Sequence, residues 1–218
     1  LESGVALDRL AGVGVAMPGL IERDTGHILF SPDFGWSDIP LQSWLQSRLS
    51  YPVLVENANR ALALAESGWR GDGGESGTHT VLCVNIGHGI GAALMQNNQL
   101  YYGSSGTSGE LGHITVCKDG PLCACGNSGC LEAVASGRAI AQQARNLISS
   151  GVKTRILELA GGNIERVEAK TVFAAAREQD VAALDLVRRA GEYIGIGIAS
   201  YINLLDPEKI VLAGGMSK

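Results

Sequence analysis

Residues 109–132 read GELGHITVCKDGPLCACGNSGCLE, and His113, Cys123, Cys125 and Cys130 within them follow the spacing H-x9-C-x-C-x4-C. Four nitrogen and sulfur donors with no oxygen donor match a closed tetrahedral structural zinc site. Gly126 and Gly129 let the backbone fold the sulfurs around one point. With every position filled by protein, no open site remains to activate water, so the predicted zinc is architectural: it holds a polar, glycine-rich loop that apolar burial alone would not fold. Cys117 is a possible substitute ligand, and Cys83 reads as a small core residue in a strand. Five cysteines is an odd count with three crowded into residues 123–130, which suits metal ligation in a reducing compartment better than a disulfide framework.

Working outward, the 218 residues are 45% apolar and 18% charged, which points to neither disorder nor a membrane protein. No uninterrupted apolar run approaches the length that spans a bilayer. The net charge is −5 without a Lys/Arg-rich stretch, so these residues offer no extended phosphate-binding surface for DNA. Leu1 to Gly4 carry neither a basic nor an apolar leader pattern, and a cytoplasmic protein is the expectation.

Leu10 to Leu20 read as a buried strand running into a Pro18-Gly19 turn, followed by a short strand at His27 to Ser31. Leu41, Trp44, Leu45 and Leu49 predict one amphipathic helix over Pro40 to Leu49. Val53 to Val55 form a strand, and Asn57 sits where an N-cap belongs, ahead of a helix over Ala58 to Ser67. Thr78 to Leu100 reads as a hairpin closed by a glycine turn and followed by an Asn97-Asn98 turn. Residues 103–130 read as mostly loop. Helices are predicted over Gly137 to Ser150, Thr171 to Gln179 and Ala182 to Leu205. In the last, Leu184, Val187, Gly191, Ile194, Ile198, Tyr201 and Leu205 mark a core-facing stripe, with Gly191, Gly195 and Gly197 permitting close packing. Lys209 to Ala213 read as a buried strand stopping at Gly214-Gly215.

Gly109 to His113 with Cys123-x-Cys125-Gly126-x-x-Gly129-Cys130-Leu131-Glu132 resembles the signature of the ROK family of repressors, open reading frames and kinases. Pro18-Gly19, Val55-Glu56-Asn57, Gly87-x-Gly89-x-Gly91 and Leu212-Ala213-Gly214-Gly215 extend the resemblance over residues 10–217, closest to the NagC/Mlc-like sugar-responsive regulators. It implies an α/β fold of the actin-like ATPase (ribonuclease H-like) type, two-lobed, with sugar in the cleft. Residues 1–218 then read as a partial sugar-binding domain with a zinc loop at 113–130, truncated at both ends. A helix-turn-helix head, and any contact with DNA, would lie in a region not in this chain. Carried over position by position, sugar contacts fall on Gly19, Asn57, Glu110, His113 and Glu132. Amide, carboxylate and imidazole groups suit hydroxyls that both donate and accept. His113 would use one ring nitrogen for zinc and the other for a hydroxyl.

Sugar kinases of the family carry Asp directly after that Asn as general base, and Ala58 stands there instead; allowing a one-residue gap still supplies no Asp. His88 stands where the kinases usually have Thr, within a turn whose Gly87, Gly89 and Gly91, with Gly214 and Gly215, would bind nucleotide if that ability is retained. The resemblance therefore points to a zinc-containing effector domain that binds a hexose or N-acetylhexosamine and forms a homo-oligomer. An ATP- and Mg2+-dependent hexose or N-acetylhexosamine kinase is the alternative.

Overall fold

The computed structural model describes residues 9–69 and 80–217, so Leu1 to Gly4 and the first two hairpin residues, Thr78 and His79, lie outside the described residues. The chain divides into two compact units, Leu1–Ser76 with Asn98–Ser108, and Gly77–Asn97 with Gly109–Lys218. Among the described residues no helix is long and apolar enough to cross a membrane.

In the smaller unit, β1 (Val13–Met17) pairs in parallel with β5 (Val53–Asn57), while β2 (Leu20–Ile21), β3 (Ile28–Ser31) and β4 (Trp36–Ile39) form an antiparallel sheet. Ile21, Ile28, Val53 and Val55 make its core. Helix α1 (Leu41–Gln46) packs Leu41 and Leu45 against that core and leaves Trp44 and Leu49 exposed, a narrower apolar stripe than the spacing predicts. Its polar face has a use of its own. Gln42 and Gln46, one turn apart, accept the backbone N–H groups of Val55 and Val53 at 3.0 and 2.9 Å. Side-chain amides thus satisfy strand donors that would otherwise want a neighbouring strand. Helix α2 (Ala58–Trp69) follows β5 directly, and β8 (Gln99–Leu100) completes the unit's elements.

The larger unit is built on β6 (Thr80–Ile86), antiparallel to β7 (Ile90–Gln96) on one side and parallel to β9 (Lys209–Ala213) on the other. Leu82, Val84 and Ile86 join Ile90, Ala92 and Leu94 to form one face of the core. Against it pack α3 (Leu131–Ala135), α4 (Gly137–Ser149), α5 (Arg155–Leu159), α6 (Ala169–Arg177) and α7 (Val181–Leu205). β2, β4, α3 and α5 are not among the predicted elements, each being too short to show a hydrophobic period.

Two expectations are corrected. The fully buried stripe of α7 runs through Ala183, Leu186, Ala190 and Gly197, about one residue round from the predicted one, and Leu184, Gly191 and Leu205 are exposed. Small residues let this face approach closely: a Cβ at Gly197 would lie 2.7 Å from Leu131 Cδ2, whereas Gly191 and Gly195 have open space beside them. Periodicity weights large apolar side chains, but here close approach selects the small ones. Strand β9 is only partly buried, with Leu212 51% exposed.

Asp180 joins two elements. Its carboxylate accepts the Ala183 N–H at 2.8 Å as N-cap of α7, and also the Thr154 hydroxyl and the Arg155 N–H, both at 2.9 Å, at the start of α5. Burial works against its charge, but hydrogen bonds from Arg155, Ala183 and Thr154 outweigh that and hold its carboxyl below the usual range. Asp180→Ala is expected to destabilise the fold by about 1–2 kcal/mol in denaturant melts. Because the folded pKa is the lower one, Asp180 stabilises the fold above about pH 4, and that contribution disappears as pH falls through the folded value. The variant's deficit should therefore shrink in acid.

Candidate metal centre and hydroxyl-binding groups

The loop after β7 enters a short 3-10 turn at Leu111–His113, and the chain returns through the bridges Thr115 to Cys130 and Leu122 to Ser128. This fold-back gathers His113, Cys123, Cys125 and Cys130, whose donor atoms all lie within 4.8 Å of one another. Cys123 Sγ is 3.6 Å from His113 Nδ1, and Cys125 Sγ is 3.7 Å from Cys130 Sγ. Donors bound at zinc distances in a tetrahedron stand about 3.5–3.8 Å apart, so the four residues fit the ion. Gly129 makes the crossing possible, since a Cβ there would run into the Cys117 carbonyl. Cys117, considered as a substitute ligand, instead has its thiol hydrogen-bonded with Tyr193. Cys83 is buried in β6, as its place in the strand predicts.

Burial pushes the Cys130 thiol up to about 12, and also raises Cys123. Cys125 is lowered, chiefly by the backbone N–H of Asn127. Without metal, Cys123 and Cys130 therefore hold their protons at neutral pH.

His113 turns Nδ1 toward the thiols, and its Nε2 lies 3.8 Å from Glu110 Oε2. The ring thus has one nitrogen for a metal and one directed toward a carboxylate. Burial, and after it the Glu110 charge, raise the pKa of Tyr201 on α7; the helical stripe marked this tyrosine as core-facing but gave no sign of its nearness to Glu110. Glu132, on the first turn of α3, accepts the Ile90 N–H at 2.9 Å. The glycine turn between β6 and β7 is braced from α4, where Gly137 N–H donates to Gly87 O at 2.9 Å and Arg138 N–H to His88 O at 3.1 Å. Met216 N–H donates to Ile86 O at 3.0 Å, and Gly214, at φ +97°, packs on the same carbonyl. Gly87, Gly89, Gly214 and Gly215 thus lie on the two connections that leave β6 and β9, and Gly91 lies within β7.

In the smaller unit, Asn57 Nδ2 donates to Gly19 O at 2.9 Å, and Asn57 Oδ1 accepts the N–H of Asn59 at 2.9 Å and of Arg60 at 3.3 Å. Asn57 therefore ends β5, caps α2 and pins the Pro18-Gly19 turn, which buried Ser31 also holds through Pro18 O at 2.7 Å. Gly19, at φ +114°, has no room for a Cβ beneath Phe30 and Ser31. Ala58 follows with only a methyl group.

A second network, not legible in the sequence, surrounds Tyr102. Its hydroxyl donates to Glu56 Oε2 at 2.8 Å, and the guanidinium carbons of Arg23 and Arg60 lie 4.4 and 4.7 Å from its ring centroid. Arg60, only 5% exposed, pairs with Glu56 at 3.5 Å and donates to Gly106 O. These contacts tie residues 102–106 to the β5–α2 junction and border a cleft of about 320 Å³ lined in part by Leu20, Arg23, Ser104 and Thr107.

The ROK family model matches residues 4–218. A glucokinase of Halalkalibacterium halodurans is 40% identical over 96% of this chain and 62% of its own length. A xylose repressor of Caldicellulosiruptor bescii is 32% identical over 95% of this chain and 51% of its own. The crystal structure of a ROK family glucokinase from Streptomyces griseus in complex with glucose and AMPPNP superposes with a TM-score of 0.85 at 32% identity, covering 99% of this chain and 68% of that one. The fold is thus the actin-like α/β fold of these sugar kinases, and the chain spans about half to two thirds of the length of the curated relatives it matches.

Metal analysis of the protein should find one zinc per chain, and Cys130→Ser should lose it together with several degrees of melting temperature. Zinc must displace at least the protons of Cys123 and Cys130, so its apparent affinity should fall by about a hundredfold or more for each unit the pH is lowered. Zinc titrations at two pH values with a competing chelator check this.

Proposed function

Because the chain belongs to the ROK family, we propose that it is the sugar-binding effector domain of a transcriptional regulator of the NagC/Mlc-like kind, with a structural zinc and no catalytic base. The observation that carries this reading is Ala58: the residue after the helix-capping Asn57 has a methyl group where a kinase of the family would place its proton acceptor. A missing general base costs about 10²- to 10⁴-fold in rate, while hydroxyl recognition needs no proton transfer.

Each unit carries groups suited to a sugar. The smaller one has Asn57 and the Gly19 backbone; the larger has Glu110, His113 and Glu132. Carboxylates accept from hydroxyls, amide and imidazole both donate and accept, and several such groups around one ring discriminate by geometry. Zinc held by His113, Cys123, Cys125 and Cys130 would fix the ring of His113 while leaving Nε2 for a ligand. A bound hexose or N-acetylhexosamine would shift a conformational equilibrium by its differential affinity for the two states, and DNA contact would belong to another part of the longer protein. Cytoplasmic residence and homo-oligomerisation are part of the same reading.

The second reading, an ATP- and Mg2+-dependent sugar kinase with another group as base, is favoured by the glycine turns after β6 and β9 and by the 40% identity to a glucokinase.

Calorimetry on the full-length protein with glucose, N-acetylglucosamine, N-acetylmannosamine and xylose, with and without AMPPNP, separates the two. Binding of at least one sugar with an affinity indifferent to AMPPNP is expected. Sugar and AMPPNP each strengthening the other's binding would favour the kinase.

A further inference from the structure

The glycine turn between β6 and β7 binds a side chain from α3. Glu132 Oε2 accepts the Ile90 N–H at 2.9 Å, and a Cβ at Gly89 would run into that same oxygen. The carboxylate therefore lies on the turn itself, over Gly89 and Ile90. Its anchor is close by: Gly112 packs on the Ile90 carbonyl, where a Cβ would collide, and that Cβ would also lie 3.5 Å from Glu132 Cβ. From the other side Gly137 and Arg138 hold the Gly87 and His88 carbonyls. The turn is fixed from both flanks, and the group it fixes in return is a carboxylate.

We propose that the turn serves as a seat for Glu132: the Ile90 N–H and the missing Cβ of Gly89 orient this carboxylate as a hydroxyl acceptor for the sugar. The inference rests on the reading of Glu132 as a sugar contact. A carboxylate has two oxygens with about four acceptor sites, so Oε2 can stay on Ile90 while Oε1 and the remaining lone pairs receive hydroxyls. A backbone donor on a braced turn pre-sets the side chain and reduces the conformational entropy that sugar binding must remove. Glycines at this turn are then required by the sugar site, whether or not a nucleotide is ever bound. Ile90 and Gly89 are positioning residues in this account; they act through Glu132.

Gly89→Ala is a selective probe. Among the described residues, Glu132 supplies the only atoms within 4 Å of the added Cβ beyond its chain neighbours, and they are the end of a flexible side chain, so the methyl group should displace the carboxylate and leave the fold in place. On the full-length, zinc-loaded protein, hydrogen exchange at the Ile90 amide should be slow in wild type and faster in Gly89→Ala and Glu132→Ala. Affinity for the sugar that wild type binds best should fall about tenfold to a hundredfold in Gly89→Ala, the range for losing a charged hydrogen bond. Combining Gly89→Ala with Glu132→Gln should cost less than the sum of the two single losses. Zinc content and melting temperature confirm that each variant is folded. Equal Ile90 exchange in all three proteins, or sugar affinities that add independently, would overturn the seat. If wild type binds no sugar yet Ile90 protection depends on Glu132, the seat stands and the sugar reading of the pocket fails.

Discussion

Ile86, Gly87 and Ile90 present three backbone carbonyls around the tip of the β6–β7 hairpin, and much of the larger unit is assembled against them. Gly214 comes down on Ile86 O at the end of β9, the Gly137 N–H binds Gly87 O at the start of α4, and Gly112 lies on Ile90 O just before His113. Each approach is closer than a side chain permits, and each brings in a different part of the chain: the last strand, the helical layer and the loop of soft donors. Protein interiors transmit small displacements because they are packed without slack. A methyl group at Gly112 or Gly214 would move a segment that carries a candidate binding residue, His113 in the one case and Gly215 in the other.

The donor loop is the complementary case. Between His113 and Cys130 most residues are exposed or half-buried, and the backbone crosses itself where Gly129 meets Cys117. Few apolar contacts are available to hold that shape, whereas one imidazole and three thiols converge in it at spacings that fit zinc. Metal ligation would link the loop to the ring of His113, and through that ring to Glu110. Specificity for hydroxyls would then be set by groups whose positions come from metal geometry and hairpin packing, both indifferent to whether residue 58 can take a proton. Such a pocket can lose its chemistry and keep its recognition.

The sequence made the long elements and the donor set plain, because both depend on local or fixed spacing. Strand β9 occupies Lys209–Ala213 as read, and the four donors are the four predicted. The dual use of Asn57 was half visible: capping follows from its place before an Ala-rich helix, but its bond to Gly19, 38 residues away, does not. Tyr102, Arg23 and Arg60 gave no signal, since a tyrosine between two guanidiniums is assembled from segments far apart in the chain. Glu132 was identified by resemblance, while its seat on Ile90 depends on how α3 meets the hairpin. The α7 stripe was displaced because alanine and glycine, which allow the closest contact, count least in a hydrophobic pattern.

The central claim is recognition without phosphoryl transfer. Its most direct test is a product assay on the full-length, zinc-loaded protein, with ATP and Mg2+ in excess and each sugar at a concentration shown by calorimetry to saturate it. The account predicts bound sugar and, at most, sugar phosphate formed about 10²-fold or more below the rate of a working kinase. Steady turnover approaching the ~1–100 s⁻¹ of working kinases would contradict it and identify a base other than residue 58.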